Sequence, residues 1–154
     1  MDIDPHELAH VRAAIELART ARGRGNRPFG AVLVSADGTV LDRAGNTQSE
    51  DGQVLAHAEL NLLLRAANEH DEPTLAAATL FTSAEPCAMC AGALFWSGVG
   101  RLVFALSTPR LHEICPPSPR TLRVTARDVL TAGGRPVEVI GPVLESEAET
   151  VFDE

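Results

Sequence analysis

Two short segments of the chain carry residue types that bind metals and move protons. The first is His-Ala-Glu at 57–59, and the second is Pro-Cys-Ala-Met-Cys at 86–90. Cys87 and Cys90 are three residues apart, so their side chains share a face if the segment is helical. Two thiolates and one imidazole, from His57, suit one Zn²⁺ ion per chain. Three protein ligands leave the fourth tetrahedral position open to water, which is typical of catalytic zinc.

Glu59 follows His57 by two residues and points in a different direction from it at the start of a helix. It can therefore reach a water on the metal without taking a ligand position. Zinc lowers the pKa of such a water toward about 7. We interpret Glu59 as the catalytic proton shuttle, which accepts the water's proton and passes protons to a substrate ring and to the leaving group.

Both segments fall at predicted helix starts. Apolar spacing predicts a helix from about 56 to 68, a buried strand over 78–82 and a second helix from Pro86 to about 97. The two helix N-termini can then converge on one point. Because a helix N-terminus favours negative charge, this placement lowers thiol pKa values and favours thiolates.

The rest of the chain predicts the frame around these helices. A helix begins at Pro5 with Asp4 and Glu7 as a capping box, and apolar runs at 30–35 and 39–43 form a hairpin. We predict strands at 101–106 and 136–140, an irregular loop at 108–120, a helix at 125–130 and a helical tail at 142–154. This order predicts one α/β domain over 1–154, a three-layer α/β/α sandwich whose mixed five-stranded sheet has helices on both faces.

Composition limits the function classes. The 154 residues are 45% hydrophobic, with no apolar run long enough for a membrane span. The acidic start, with Asp2, Asp4 and Glu7, does not resemble a secretory signal, so we expect a cytoplasmic protein. A net charge of −8 makes a nucleic-acid partner unlikely. Three cysteines are too few for a disulfide framework.

The two segments together resemble the His-x-Glu and Pro-Cys-x-x-Cys signature of zinc nucleobase deaminases. From about Arg27 to Phe104 the chain is similar to the cytidine-deaminase-like superfamily, in the branch of guanine deaminases and tRNA adenosine deaminases. The resemblance implies the matching fold and hydrolytic deamination of a ring carbon with release of ammonia. It also implies metal ligands His57, Cys87 and Cys90, the proton shuttle Glu59, and Asn46 and Phe29 facing the base.

Five further residues are expected to contact substrate. Glu85 can bond a purine N–H, Trp96 can wall the pocket, and Phe152 sits in a 142–154 tail that can lid the site. Glu113 lies where relatives place substrate contacts, and Ala58 lies between the two residues of the first motif. Structural roles remain open for Glu85, as a helix-start acid, and for Trp96, as a core or interface aromatic.

The ring itself has three candidates. Trp96 and the acidic surface favour a free base such as guanine, although the loop 108–120 lacks the aspartate of guanine deaminases. Aromatic and acidic residues at the C-terminus favour cytosine, a related pyrimidine or a triazine, free or as a nucleoside. Similarity to tRNA adenosine deaminases favours a tRNA adenosine, for which the arginines between 19 and 27 are the candidate basic patch.

Alternatives of another kind also remain. Cys87 and Cys90 can form a redox pair, although His57 and Glu59 then have no role. Cys115 can close a purely structural zinc site, and the chain can be a non-catalytic, zinc-stabilised binding module.

We further expect a homodimer, because relatives associate through helices next to the site and the side chains of the 91–96 segment are small or apolar.

Overall fold

The computed structural model describes residues 3–153, so Met1, Asp2 and Glu154 lie outside the described residues. A mixed sheet of five strands crosses the molecule. The strands are β1 (Gly30–Val34), β2 (Val40–Gly45), β3 (Thr79–Ala84), β4 (Arg101–Leu106) and β5 (Glu138–Ile140). The helices are α1 (Pro5–Gly23), α2 (Gln48–Asp51), α3 (Ala58–Glu69), α4 (Glu72–Ala76), α5 (Ala88–Ser97), α6 (Thr108–Ile114), α7 (Ala126–Leu130) and α8 (Glu145–Glu149), with a 3₁₀ turn at Thr150–Phe152.

The strand order is β2-β1-β3-β4-β5. β1 is antiparallel to both β2 and β3, whereas β3, β4 and β5 run parallel. β1 is buried along its whole length, and β3 and β4 are buried after their first residues, as expected for strands covered on both faces. The predicted mixed sheet of the α/β sandwich is confirmed.

Two apolar cores cover the two faces of the sheet. One core lies between the sheet and the layer of α3, α5 and α7, around Leu62, Leu80 and Leu94. The other lies under α1 and the C-terminal tail, around Ile15 and Phe81. The helices that begin at the two motifs therefore share one face of the sheet.

Local sequence signals fix the ends of several elements. Asp4 accepts the Glu7 backbone N–H and Glu7 reaches back to Asp4, so the predicted capping box is present. The hairpin turns through Gly38, whose φ of 89° favours glycine. Among residues 3–153, no helix is both long and apolar enough to cross a bilayer.

The irregular loop predicted at 108–120 is wrong in its first half, where α6 forms. Ser107 caps this helix by accepting the Arg110 N–H, and Pro109 falls in the first turn, where its missing N–H costs nothing. The short helices α2 and α4 were also not predicted. Within the tail predicted to be helical at 142–154, the helical residues are Glu145–Glu149 and Thr150–Phe152.

Candidate active site

Two helix starts on the same face of the sheet position the candidate metal ligands. His57 is the N-cap of α3 and Cys87 is the N-cap of α5, both with extended backbone, and neither side chain caps its own helix. α3 and α5 pack against each other. Cys90 lies one turn into α5 and is buried. The two side chains that would usually cap a helix are thus free to face a common point.

The ligand atoms of His57, Cys87 and Cys90 all lie within 4.8 Å of one another. Each sulfur is 3.6 Å from Nδ1 of His57. A tetrahedral zinc with bonds of about 2.3 Å to sulfur and about 2.1 Å to nitrogen would set this separation at roughly 3.6 Å. Within residues 3–153, no fourth histidine, cysteine or acidic side chain joins the group, and Cys115 is outside it.

The pKa values of the two thiols are also consistent with the binding of a doubly charged cation. Hydrogen bonding to Cys90 and His57 lowers the pKa of Cys87 to about 4. Hydrogen bonding to Cys87, together with burial, raises the pKa of the Cys90 thiol. One thiolate is therefore favoured in this cluster, and a bound cation would stabilise the second. Zn²⁺ satisfies both sulfurs and the imidazole.

Glu59 lies in the first turn of α3 beside this cluster and lines the same cavity. It is 7% exposed, and burial raises its pKa to about 7. Its carboxylate is not part of the three-ligand group. The position fits a group that exchanges protons at the site.

A cavity of about 650 Å³ opens over the cluster. This volume is within the range of small-molecule sites. Four of the predicted site residues line it besides the ligands Cys87 and His57: Phe29, Asn46, Glu59 and Glu85. Residues from four stretches of the chain complete the wall, namely Arg27, Gln48, Val54, Leu55, Ala88, Met89, Thr108, Leu111, His112, Cys115, Pro116, Pro117, Ser118, Arg120, Thr121, Leu122 and Val124.

Asn46 follows β2 and is 2% exposed. Its side-chain amide donates to Oε1 of Gln48 at 2.7 Å, and its side-chain oxygen accepts the Gln48 backbone N–H at 3.0 Å. Its own backbone N–H donates to Phe29 at 3.0 Å. The amide is therefore held in one orientation at the cavity, as a residue that reads the edge of a ring requires.

Phe152 lies behind Phe29 instead of lining the cavity. The two rings meet edge to face with their centroids 5.9 Å apart. The tail that carries Phe152 is tied to the body by a hydrogen bond from the Ser107 backbone to Glu145 at 2.8 Å and by the Arg12–Glu147 ion pair. In a single chain, Phe152 thus reaches the cavity through Phe29.

The other three predicted contacts also lie outside the cavity lining. Ala58 is fully buried at the start of α3. Trp96 is 87% exposed, two residues beyond the buried Leu94 on the opposite side of α5. Glu113 is exposed and paired with Arg110 on its own helix. Their contact with substrate stays a prediction, and the sequence argument for guanine from Trp96 has no cavity contact behind it in one chain.

Several lining residues were not singled out from the sequence. Gln48 lies two residues after Asn46, a spacing at which an asparagine side chain commonly accepts a backbone N–H, but it was not predicted to line a site. In the irregular loop predicted at 108–120, only Glu113 was expected to contact substrate, yet most residues of 115–124 line the cavity. Its prolines signalled a fixed, non-helical shape but not its location.

Comparison with known proteins agrees with this geometry. The model of the cytidine and deoxycytidylate deaminase zinc-binding region matches residues 5–106. A probable cytosine deaminase of Schizosaccharomyces pombe is 40% identical over 96% of this chain and 90% of its own length. A tRNA-specific adenosine deaminase of Bacillus subtilis is 37% identical over 66% of this chain and 62% of its own.

The fold also matches solved structures. A guanine deaminase from Nitrosomonas europaea superposes with a TM-score of 0.78 and 26% identity, over 99% of this chain and 85% of that one. The matched family region contains both motifs and the three clustered ligand atoms. The chain belongs to the zinc-binding cytidine and deoxycytidylate deaminase family, whose members are hydrolases acting on carbon–nitrogen bonds of cyclic amidines.

Proposed function

We propose that this protein hydrolytically deaminates a free nucleobase or a close analogue and releases ammonia. The observation that carries the proposal is the placement of Glu59, buried in the wall of a small-molecule cavity next to three clustered metal-binding side chains. A redox pair or a structural zinc site would need neither the carboxylate nor the cavity.

Each residue at the site has a separate role in this reaction. His57, Cys87 and Cys90 would hold the zinc ion, which would supply the Lewis acidity that lowers the pKa of water toward about 7. The Glu59 carboxylate accepts a proton from the attacking water as its oxygen adds to the ring carbon, and donates that proton to the ring nitrogen. It then accepts the proton of the new hydroxyl group and donates it to the amine, so that the carbon–nitrogen bond breaks and ammonia leaves a ring carbonyl. The oriented amide of Asn46 bonds the edge of the ring, and Phe29 packs on its face.

A cytosine-type ring, meaning cytosine, another pyrimidine or a triazine, is our first choice. The likeness to the probable cytosine deaminase is 40% identity over 96% of the chain. A guanine-type ring is the second choice, supported by the likeness to the Nitrosomonas europaea guanine deaminase along 99% of the chain. Trp96 lies outside the cavity, which weakens the sequence argument for guanine. We therefore rank guanine below a cytosine-type ring as the substrate.

A tRNA substrate has less support from the surface. The arginines at the end of α1 are engaged within the protein: Arg19 pairs with Glu16, Arg24 pairs with Glu50, and Arg22 donates to the backbone of the tail. The net charge of −8 also opposes binding to the phosphates of RNA. Because relatives act on tRNA, the RNA is included in the test.

The test is an ammonia-release screen over cytosine, guanine, adenine, their nucleosides, triazine analogues and tRNA. Turnover of one free ring well above that of its nucleoside and of tRNA supports the proposal. Turnover of tRNA alone, with tight binding in a gel shift at about 0.1 M salt, would replace it with the RNA-acting function. If neither the protein nor its Glu59→Gln variant releases ammonia from any compound, the binding-module alternative replaces it.

We also propose a homodimer. Trp96 on α5 and Leu64 on α3 are 87% and 63% exposed, and the two helices lie side by side. Large apolar side chains on neighbouring helices favour burial against a second copy. Light scattering at micromolar concentration should give twice the 16.3 kDa chain mass, and a monomer would reject this arrangement.

A further inference from the structure

One carboxylate connects the metal-bearing helix to the opposite wall of the cavity. Glu85 follows β3 and precedes the ligand Cys87 by two residues. Its Oε1 accepts the backbone N–H of Thr108 at 2.9 Å, and its Oε2 accepts the backbone N–H of Ala126 at 2.9 Å. Thr108 begins α6 and Ala126 begins α7. Each oxygen of Glu85 therefore holds the first turn of a different helix.

The segment between these two helices forms much of the cavity wall. It runs from 115 to 125, and its lining residues include Cys115, Arg120 and Leu122. Within the described chain, the backbone hydrogen bonds of 116–124 stay inside the segment, such as Thr121 to Ser118 at 3.0 Å. The segment is thus positioned by the two helices at its ends. The first N–H group of each of these helices donates to Glu85.

A carboxylate is suited to this position by its chemistry. The first N–H groups of a helix have no partner within the helix, and a negative charge is stabilised beside them. The caps Ser107 and Thr125 bond the N–H groups of Arg110 and Asp128 and leave the first N–H groups of both helices to Glu85. An ionised carboxyl group accepts at both oxygens, whereas an amide presents a donor at one of them.

We propose that Glu85 is a positioning residue of the deaminase site, whose carboxylate sets the distance between the metal-binding end of α5 and the 115–124 wall. This inference rests on the proposed function for its kinetic part. It differs from the direct ring contact expected from sequence, because the two hydrogen bonds of Glu85 are made to helix backbones and need no substrate. Its effect on the substrate is exerted through the wall.

The test compares Glu85→Gln with Asp71→Asn. Asp71 makes the same kind of bond at the start of α4, to the Thr74 N–H at 2.9 Å, and lies outside the cavity. Glu85→Gln should keep its zinc and raise KM roughly tenfold or more, with kcat within about threefold of wild type, because uniform binding is lost. It should also change the ratio of activities between rings. Asp71→Asn should leave KM and that ratio unchanged.

Amide hydrogen exchange gives a readout independent of turnover. In the wild-type protein the Thr108 and Ala126 amides should be protected, and both should exchange faster in Glu85→Gln. Exchange of these two amides in the wild type at the rate of an unstructured chain would overturn the proposal even if the variant does not fold. A hundredfold fall in kcat with unchanged KM would overturn it by making Glu85 a catalytic residue. Absence of any deamination by wild type would reject the proposed function, while the exchange rates still decide the role of Glu85.

Discussion

Replacing Glu59 with glutamine separates proton transfer from metal binding. The side chain is 7% exposed and lies outside the three-ligand group, so an amide of the same size should keep the packing of α3 and the zinc. It removes the group that accepts and returns protons. General acid–base catalysis by one side chain contributes about 10²–10⁴ in rate, so the barrier should rise by about 3–5 kcal/mol.

The assay measures kcat for ammonia release, zinc per chain and Tm for the wild type, Glu59→Gln and Glu69→Gln. Glu69 ends the same helix and is exposed, so its substitution controls for the loss of a charge on α3. We expect a fall in kcat of about 10²–10⁴ in Glu59→Gln alone, with unchanged zinc and Tm. A zinc-loaded Glu59→Gln that keeps more than a tenth of the wild-type kcat would refute the assigned role.

Two further predictions concern the frame of the site. Deleting 150–154 removes the ring that supports Phe29, so KM should rise or kcat should fall at unchanged zinc content; identical kinetics would reject a role for the tail. In Gly100→Ala the added Cβ would lie 2.0 Å from the backbone oxygen of Ala76, whereas at Gly23 nothing lies within 4 Å. Thermal melts should show a Tm decrease of roughly 2–10 °C for Gly100→Ala and little change for Gly23→Ala, and equal Tm values would contradict this packing.

The metal-binding part of the site could be predicted because its information is local. His57 and Glu59 share one helix start, and Cys87 and Cys90 share another, so short spacings determine which side chains each helix start presents. The predicted order of helix, strand and helix then allowed the two starts to converge. The sheet was predictable for a similar reason. Its central strands are apolar runs of five or six residues, bounded by turns or helix starts.

The wall of the cavity could not be predicted in the same way. Pro109 was read with the later prolines as a sign of irregular chain, although a proline in the first turn after the Ser107 cap favours a helix. The location of 115–124 depends on Glu85, which is distant in sequence from both helices it holds. Spacing along the chain carries no signal for such a tertiary contact.

Trp96 lies on the same helix as the cysteine motif, but its side chain is on a different face of that helix. Cys90 and Leu94 are four residues apart on the buried face of α5, and Trp96, two residues further, faces away from it. A position on the zinc-binding helix therefore does not by itself place this ring in the cavity of its own chain.

The account depends on a single catalytic zinc ion that would be held by three protein side chains and would keep its fourth position for water. The most direct measurement is X-ray absorption spectroscopy at the zinc edge, with metal analysis, on protein purified without chelators. The predicted result is one zinc per chain with two sulfur and two nitrogen or oxygen neighbours. Protein without zinc, or zinc bound by three or more sulfurs, would contradict the account.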